Sequence, residues 1–159
     1  MTWTAPAVDR IPPPWTGDES TALVGWLEHH RNTLLAKCAG LTTEQLRMRS
    51  APPSTLSLLG LVRHMADVER VWFRRRVAGE AVDDLYLTAE DPDADFNDVD
   101  TADPAAAFAT FMAEVEAARA VLPGRSLDEV YTGKRRDGSE VKFDLRAVLR
   151  ERIDGAVEE

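Results

Sequence analysis

Apolar positions recur along most of this chain at the three-and-four spacing of one helical face. Leu23, Leu27, His30, Leu34 and Cys38 predict a first helix from about Glu19 to Ala39, with Gly40 just past its end. Thr42 then caps a short helical turn carrying Glu44 and Gln45, and Ala51-Pro52-Pro53 breaks the chain. Leu58, Leu61, Val62, Met65, Val68 and Trp72 predict a second helix from about Ser57 to Val77, ended by Gly79. Asp103 as cap and Pro104 at the first helical position open a third, whose buried face is Phe108, Phe111, Met112, Val115 and Ala118. Pro123-Gly124 stops it.

The period then changes. Asp137-Gly138 is a strong hairpin turn, flanked by Val130-Tyr131-Thr132 and Val141-Lys142-Phe143. A last helix starts near Asp144 and is expected to end near Asp154-Gly155, about ten residues and so roughly 15 Å. Residues 1–17 hold Ile11-Pro12-Pro13-Pro14-Trp15 and read as an extended arm, which Trp3 and Trp15 are expected to pack against the rest. The remaining residues, 18–159, read as one helical domain.

Composition narrows the function classes. The net charge is −9, which argues against a nucleic-acid partner. Arg74-Arg75-Arg76 is the local exception. It falls in the last turn of a helix, where cations complement the dipole, and Glu69, Glu80, Asp83 and Asp84 are near to neutralise it. A single cysteine, Cys38, excludes an internal disulfide and suits a reducing compartment. No apolar run is long enough to span a membrane and no secretory signal pattern is visible, so a cytoplasmic location without a membrane partner is the expectation.

Several stretches resemble the DinB-like superfamily, in particular its mycothiol-dependent actinobacterial branch. They are Leu34-Leu35-Ala36-Lys37-Cys38-Ala39-Gly40-Leu41, the run from Pro53 to Arg70 that contains Ser57-Leu58-Leu59-Gly60-Leu61-Val62-Arg63-His64, and Trp72-Phe73-Arg74-Arg75. Asp91-Pro92-Asp93-Ala94-Asp95-Phe96, Arg135-Arg136-Asp137-Gly138 and Leu149-Arg150-Glu151-Arg152-Ile153-Asp154-Gly155 extend it, so that it covers roughly residues 17–155. The resemblance implies an all-α, up-down-down-up four-helix bundle, often a homodimer. It implies a divalent metal, zinc or nickel, held by three histidines, with the metal activating a thiol such as mycothiol. His64 matches the histidine of the second helix.

The sequence departs from that pattern after His64, where no further histidine occurs. The expected fold is therefore a DinB-like bundle with a truncated fourth helix and a small β-hairpin before it. The three longer helices would leave an apolar groove, to be covered by the arm, another chain or a dimer partner.

Other candidate sites are weaker. His30 lies on the first helix's apolar stripe and Asp67 one turn beyond His64, so a His30–His64–Asp67 metal set is one option. A packed core or boundary histidine is the alternative for His30. Cys38, on an apolar face near a helix C-terminus, is not expected to be a nucleophile. Asp91, Asp93, Asp95 and Asn97 resemble the start of a calcium loop, but Phe96 stands where glycine is needed and Ala102 where a glutamate belongs, so a solvated loop is expected. Two function classes stay open. One is a metal-dependent thiol transferase or isomerase, impaired with one of three metal histidines and acting on a small-molecule or thiol substrate. The other is a non-catalytic helical protein acting through dimerisation.

Overall fold

The computed structural model describes residues 2–135 and 137–158, with side chains described as far as Gly155. Arg136, part of the hairpin stretch named above, lies outside the described residues. The chain is predominantly helical with one two-stranded antiparallel sheet. It divides into two compact units, Met1–Ala7 with Cys38–Pro123, and Val8–Lys37 with Gly124–Glu159.

In the first unit, α2 (Thr43–Arg47) starts at a complete capping box in which Thr42 and Gln45 satisfy each other's backbone amides. Then α3 (Leu58–Glu69) begins at Ser57, whose hydroxyl accepts from the Gly60 amide. The predicted second helix does not stay α to its end. From Arg70 to Val77 it widens into a π-helix, and the Ala78 amide bonds back five residues to the Phe73 carbonyl. This segment and α3 both pack on α5 (Pro104–Val121), which Asp103 caps through the Ala105 amide. Leu59, Val62, Phe73, Phe111 and Val115 are buried here.

The acidic stretch between the helices is not a wholly solvated loop. It contains α4 (Ala94–Asn97), packed on α3, followed by a 3₁₀ turn at Asp98–Asp100. The start of the arm belongs to this unit too. Thr4 bridges Thr42, the Ala5 amide bonds the Leu41 carbonyl at 2.9 Å, and Trp3 meets Phe108 edge to face at 5.7 Å.

The second unit holds α1 (Glu19–Cys38), a hairpin of β1 (Val130–Lys134) and β2 (Glu140–Asp144), and α6 (Leu145–Glu158). Val130 pairs with Asp144 and Lys134 with Glu140, and Gly138 takes the left-handed φ of 82° that the turn requires. The Asp144 carboxylate accepts from the Ala147 amide, so α6 begins where its cap was expected. It then runs to Glu158, 14 residues rather than about ten. Gly155 continues it, because it does not adopt the positive φ that lets a glycine end a helix. Even so, α6 stays shorter than the 20-residue α1. The second part of the arm lies along α1, where the His29 ring N–H donates to the Ile11 carbonyl at 2.6 Å and Ile11 in turn donates to Asn32. Trp15, expected to anchor the arm, is instead 85% exposed. The neighbouring proline makes the close contact: a Cβ on Gly25 would lie 2.6 Å from Pro14 Cγ.

Candidate functional site

The site grows from one face of α3. Gly60 and His64 lie one turn apart on that face. A Cβ on Gly60 would come within 2.8 Å of the Phe96 ring and 3.3 Å of the Phe96 backbone, so the missing side chain is what lets α4 settle on α3. The Phe96 ring then lies 5.1 Å from the His64 ring, centre to centre. This close approach brings the residue before Phe96 into place. Asp95 Oδ2 is 2.7 Å from His64 Nδ1, and Asp95 Oδ1 accepts from the Phe96 amide at 3.0 Å.

The two partners differ in exposure. The Asp95 side chain is 1% exposed and the His64 side chain 27%. Asp95 was expected in a solvated loop and is in fact buried. Phe96 drives the change: it occupies the space above Gly60 and carries Asp95 down with it. The pattern that signals this is a helical glycine one turn ahead of a histidine, matched to an Asp-Phe pair elsewhere.

Around this pair α3 grips the acidic segment. Asp67 accepts the backbone amides of Leu85 and Tyr86 at 2.6 and 3.1 Å. Burial raises the Asp67 carboxyl above the usual range; the two amide bonds oppose that shift, while the charges of Asp84 and Asp95 add to it. A carboxyl raised in the folded state favours folding more when protonated. The stability of the wild type relative to Asp67→Asn is therefore expected to rise as pH falls through the carboxylate range, read as denaturant midpoints across an acid series. Arg63 Nη2 donates to the Ala94 carbonyl at 3.2 Å, and its guanidinium lies 4.4 Å from the Tyr86 ring centre.

The arginine cluster serves the same segment. Arg74 pairs with Glu80, Arg75 with Asp84, and Arg70 donates to the Asp83 carbonyl. The π-helical turn also places Arg70 and Arg74 on the buried Glu114 of α5, at 2.6 and 3.2 Å. These residues hold structure together, as their position in the sequence suggested.

The remaining candidates have contacts of their own. Asp67 is committed to the loop backbone. His30, half-buried in the second unit, lies against Trp26 and His29, and burial followed by the His29 charge lowers its pKa. Within the unit that holds His64, no described group of three or more His, Cys, Asp or Glu side chains could hold a metal ion. Asp91 accepts from Asn97 and from the Asp93 amide, so three of the calcium-loop positions bond among themselves. Cys38 is fully buried, and burial pushes its thiol up to about 11. It is expected to resist a thiol-reactive disulfide at neutral pH until denaturant is added, which absorbance of the released thiolate reports.

A family model described as mycothiol-S-transferase matches residues 22–155, which include every element of this site. The chain belongs to that family. The match agrees with the DinB-like resemblance and covers both units. No curated protein and no solved structure matches the chain. A mycothiol-related transferase is therefore the class within which the His64–Asp95 pair has to be understood, and no helix is long and apolar enough to cross a membrane among the described residues.

Proposed function

We propose that this protein is a cytoplasmic thiol transferase that moves mycothiol, or a closely similar thiol, onto a small electrophile, with His64 as the base. The hydrogen bond between His64 and the buried Asp95 carries this reading. An ionised carboxylate only accepts hydrogen bonds, so Nδ1 holds the proton and the imidazole lone pair sits at Nε2. A thiol S–H that reaches Nε2 gives up its proton there. The thiolate sulfur then bonds to the electrophilic carbon as the carbon–halogen bond breaks and halide leaves with the electron pair, and Asp95 stabilises the imidazolium until it gives its proton to water. Partial exposure of the imidazole beside a buried carboxylate suits this task, because the thiol must reach the ring while Asp95 stays dry.

The family resemblance also implies zinc or nickel on three histidines. A catalytic zinc needs three protein ligands and an open position. His64 is the one histidine of its unit, and the described residues of that unit offer no such cluster. The donor set of this unit does not by itself fit a catalytic zinc, and the base mechanism above uses none. A second reading keeps His64 as a metal ligand in a homodimer, with the other donors coming from the second copy. Asp95 favours it, since a carboxylate behind the imidazole is how metal-binding histidines are oriented. The four-helix bundle implied by the resemblance would then be completed by dimerisation.

The test uses untagged protein of defined oligomeric state. It is incubated with mycothiol and a chromogenic aryl halide, and its metal content is measured by elemental analysis. Conjugate formation above the uncatalysed rate with negligible metal supports the base. Conjugate formation that tracks two metals per dimer, one at each His64, supports the second reading. No acceleration in either case leaves a non-catalytic family member acting through dimerisation.

A further inference from the structure

We propose that Arg63 is the anchor for a carboxylate group on the electrophile, and that the Tyr86 ring is its cover. Arg63 is 6% exposed and carries one hydrogen bond, from Nη2 to Ala94. Its Nε and Nη1 are buried and have no hydrogen-bond partner. A buried guanidinium whose N–H groups find no acceptor is costly, and the face of the Tyr86 ring compensates only part of that cost. The neighbouring carboxylates are committed elsewhere. Asp95 holds His64, Asp67 holds two loop amides, and Glu114 is shared by Arg70 and Arg74. An oxyanion from outside the chain is the partner such a group accepts best, and a planar carboxylate matches the guanidinium geometry.

Position ties this group to His64. Arg63 and His64 are consecutive on α3 and grip consecutive residues of α4, Ala94 and Asp95. Consecutive helical side chains diverge, but both of these reach the same short helix, and in this proposal the far end of a molecule held at Arg63 extends along α4 to the imidazole. Tyr86 is only half-buried and lies in a stretch without helix or strand. Its backbone is tied to Asp67 and its hydroxyl is bonded to Thr110, so the ring turns aside by giving up the Thr110 bond while the loop stays in place. The nearby Asp67 and Asp95 limit affinity, which suits a substrate that must be released.

That the carboxylate belongs to the electrophile rests on the thiol-transfer reading; that Arg63 binds a carboxylate does not. Malonate is the probe, titrated against thermal unfolding with sodium chloride at matched ionic strength as the reference. Wild type and His64→Gln should both show a saturable rise in Tm with malonate beyond that reference. Arg63→Met should show none, and Arg63→Lys should saturate at roughly tenfold higher concentration. Tyr86→Ala should saturate at lower concentration than wild type. A wild-type response no larger than with chloride, or an equal response in Arg63→Met, overturns the anchor. Should Arg63→Met fail to fold, an unchanged midpoint in Arg63→Lys overturns it instead. An unchanged midpoint in Tyr86→Ala overturns the cover. Malonate binding without thiol transfer would sink the reaction and leave the anchor standing; thiol transfer without malonate binding would do the reverse.

Discussion

Replacing His64 with Gln is expected to lower mycothiol-dependent turnover by about 10²–10⁴-fold, the range that a positioned base contributes. The loss should fall on kcat, with KM for the thiol little changed, because the imidazole acts on the S–H bond and not on the rest of the ligand. Gln is close in size and polar, so it keeps a group at the position without a basic nitrogen. Asp95→Asn is the companion. It keeps an oxygen near His64 Nδ1 but removes the negative charge that faces the imidazolium, at a site where the carboxylate is 1% exposed. Its turnover should fall between wild type and His64→Gln. The double variant should be no worse than His64→Gln alone, since the two side chains act as one unit. Independent, additive losses would mean that Asp95 supports the fold and not the base.

Gly60→Val is expected to destabilise the protein by about 1–3 kcal/mol, as overpacking a close contact does. The first added carbon would lie 2.8 Å from the Phe96 ring and 3.3 Å from the Phe96 backbone. The ring can shift a little; the backbone of α4 can shift only by lifting off α3. Lifting α4 also takes Asp95 away from His64. The variant should therefore lose activity to about the level of Asp95→Asn even at temperatures where it is fully folded. Urea midpoints measure the first effect and turnover well below the midpoint the second. A variant that is less stable yet fully active would show that α4 seating and the dyad are separable.

Much of the helical content can be read from the chain, because it depends on local rules. The spacing of Leu58, Val62, Met65 and Trp72 marks a helix wherever it sits, and Asp103-Pro104 marks a start. Asp137-Gly138 marks the hairpin for an equally local reason, the left-handed backbone at Gly138. The misreadings were set by contacts distant in sequence. The π-helical turn at Arg70–Val77 accompanies ion pairs to Glu114, 40 or more residues away. Trp15 looked like an anchor by its type alone, while Pro14 makes the contact on Gly25. Gly155 looked like a stop signal, but the φ that decides this is not written in the residue name.

The sequence by itself determined which residue is the candidate for the proposed chemistry and which is a poor one. With three histidines, one of them in the Gly60-Leu61-Val62-Arg63-His64 stretch, and one cysteine on an apolar face, the inventory already pointed at His64 and away from Cys38. Only the tertiary structure decided what His64 works with. Asp95 lies 31 residues away in a stretch with six aspartates between Asp91 and Asp103, all alike to a reader of the sequence. Phe96 filling the space over Gly60 selects one of them for burial. That selection is a matter of packing, which depends on shape across two elements and leaves no periodic trace along either one.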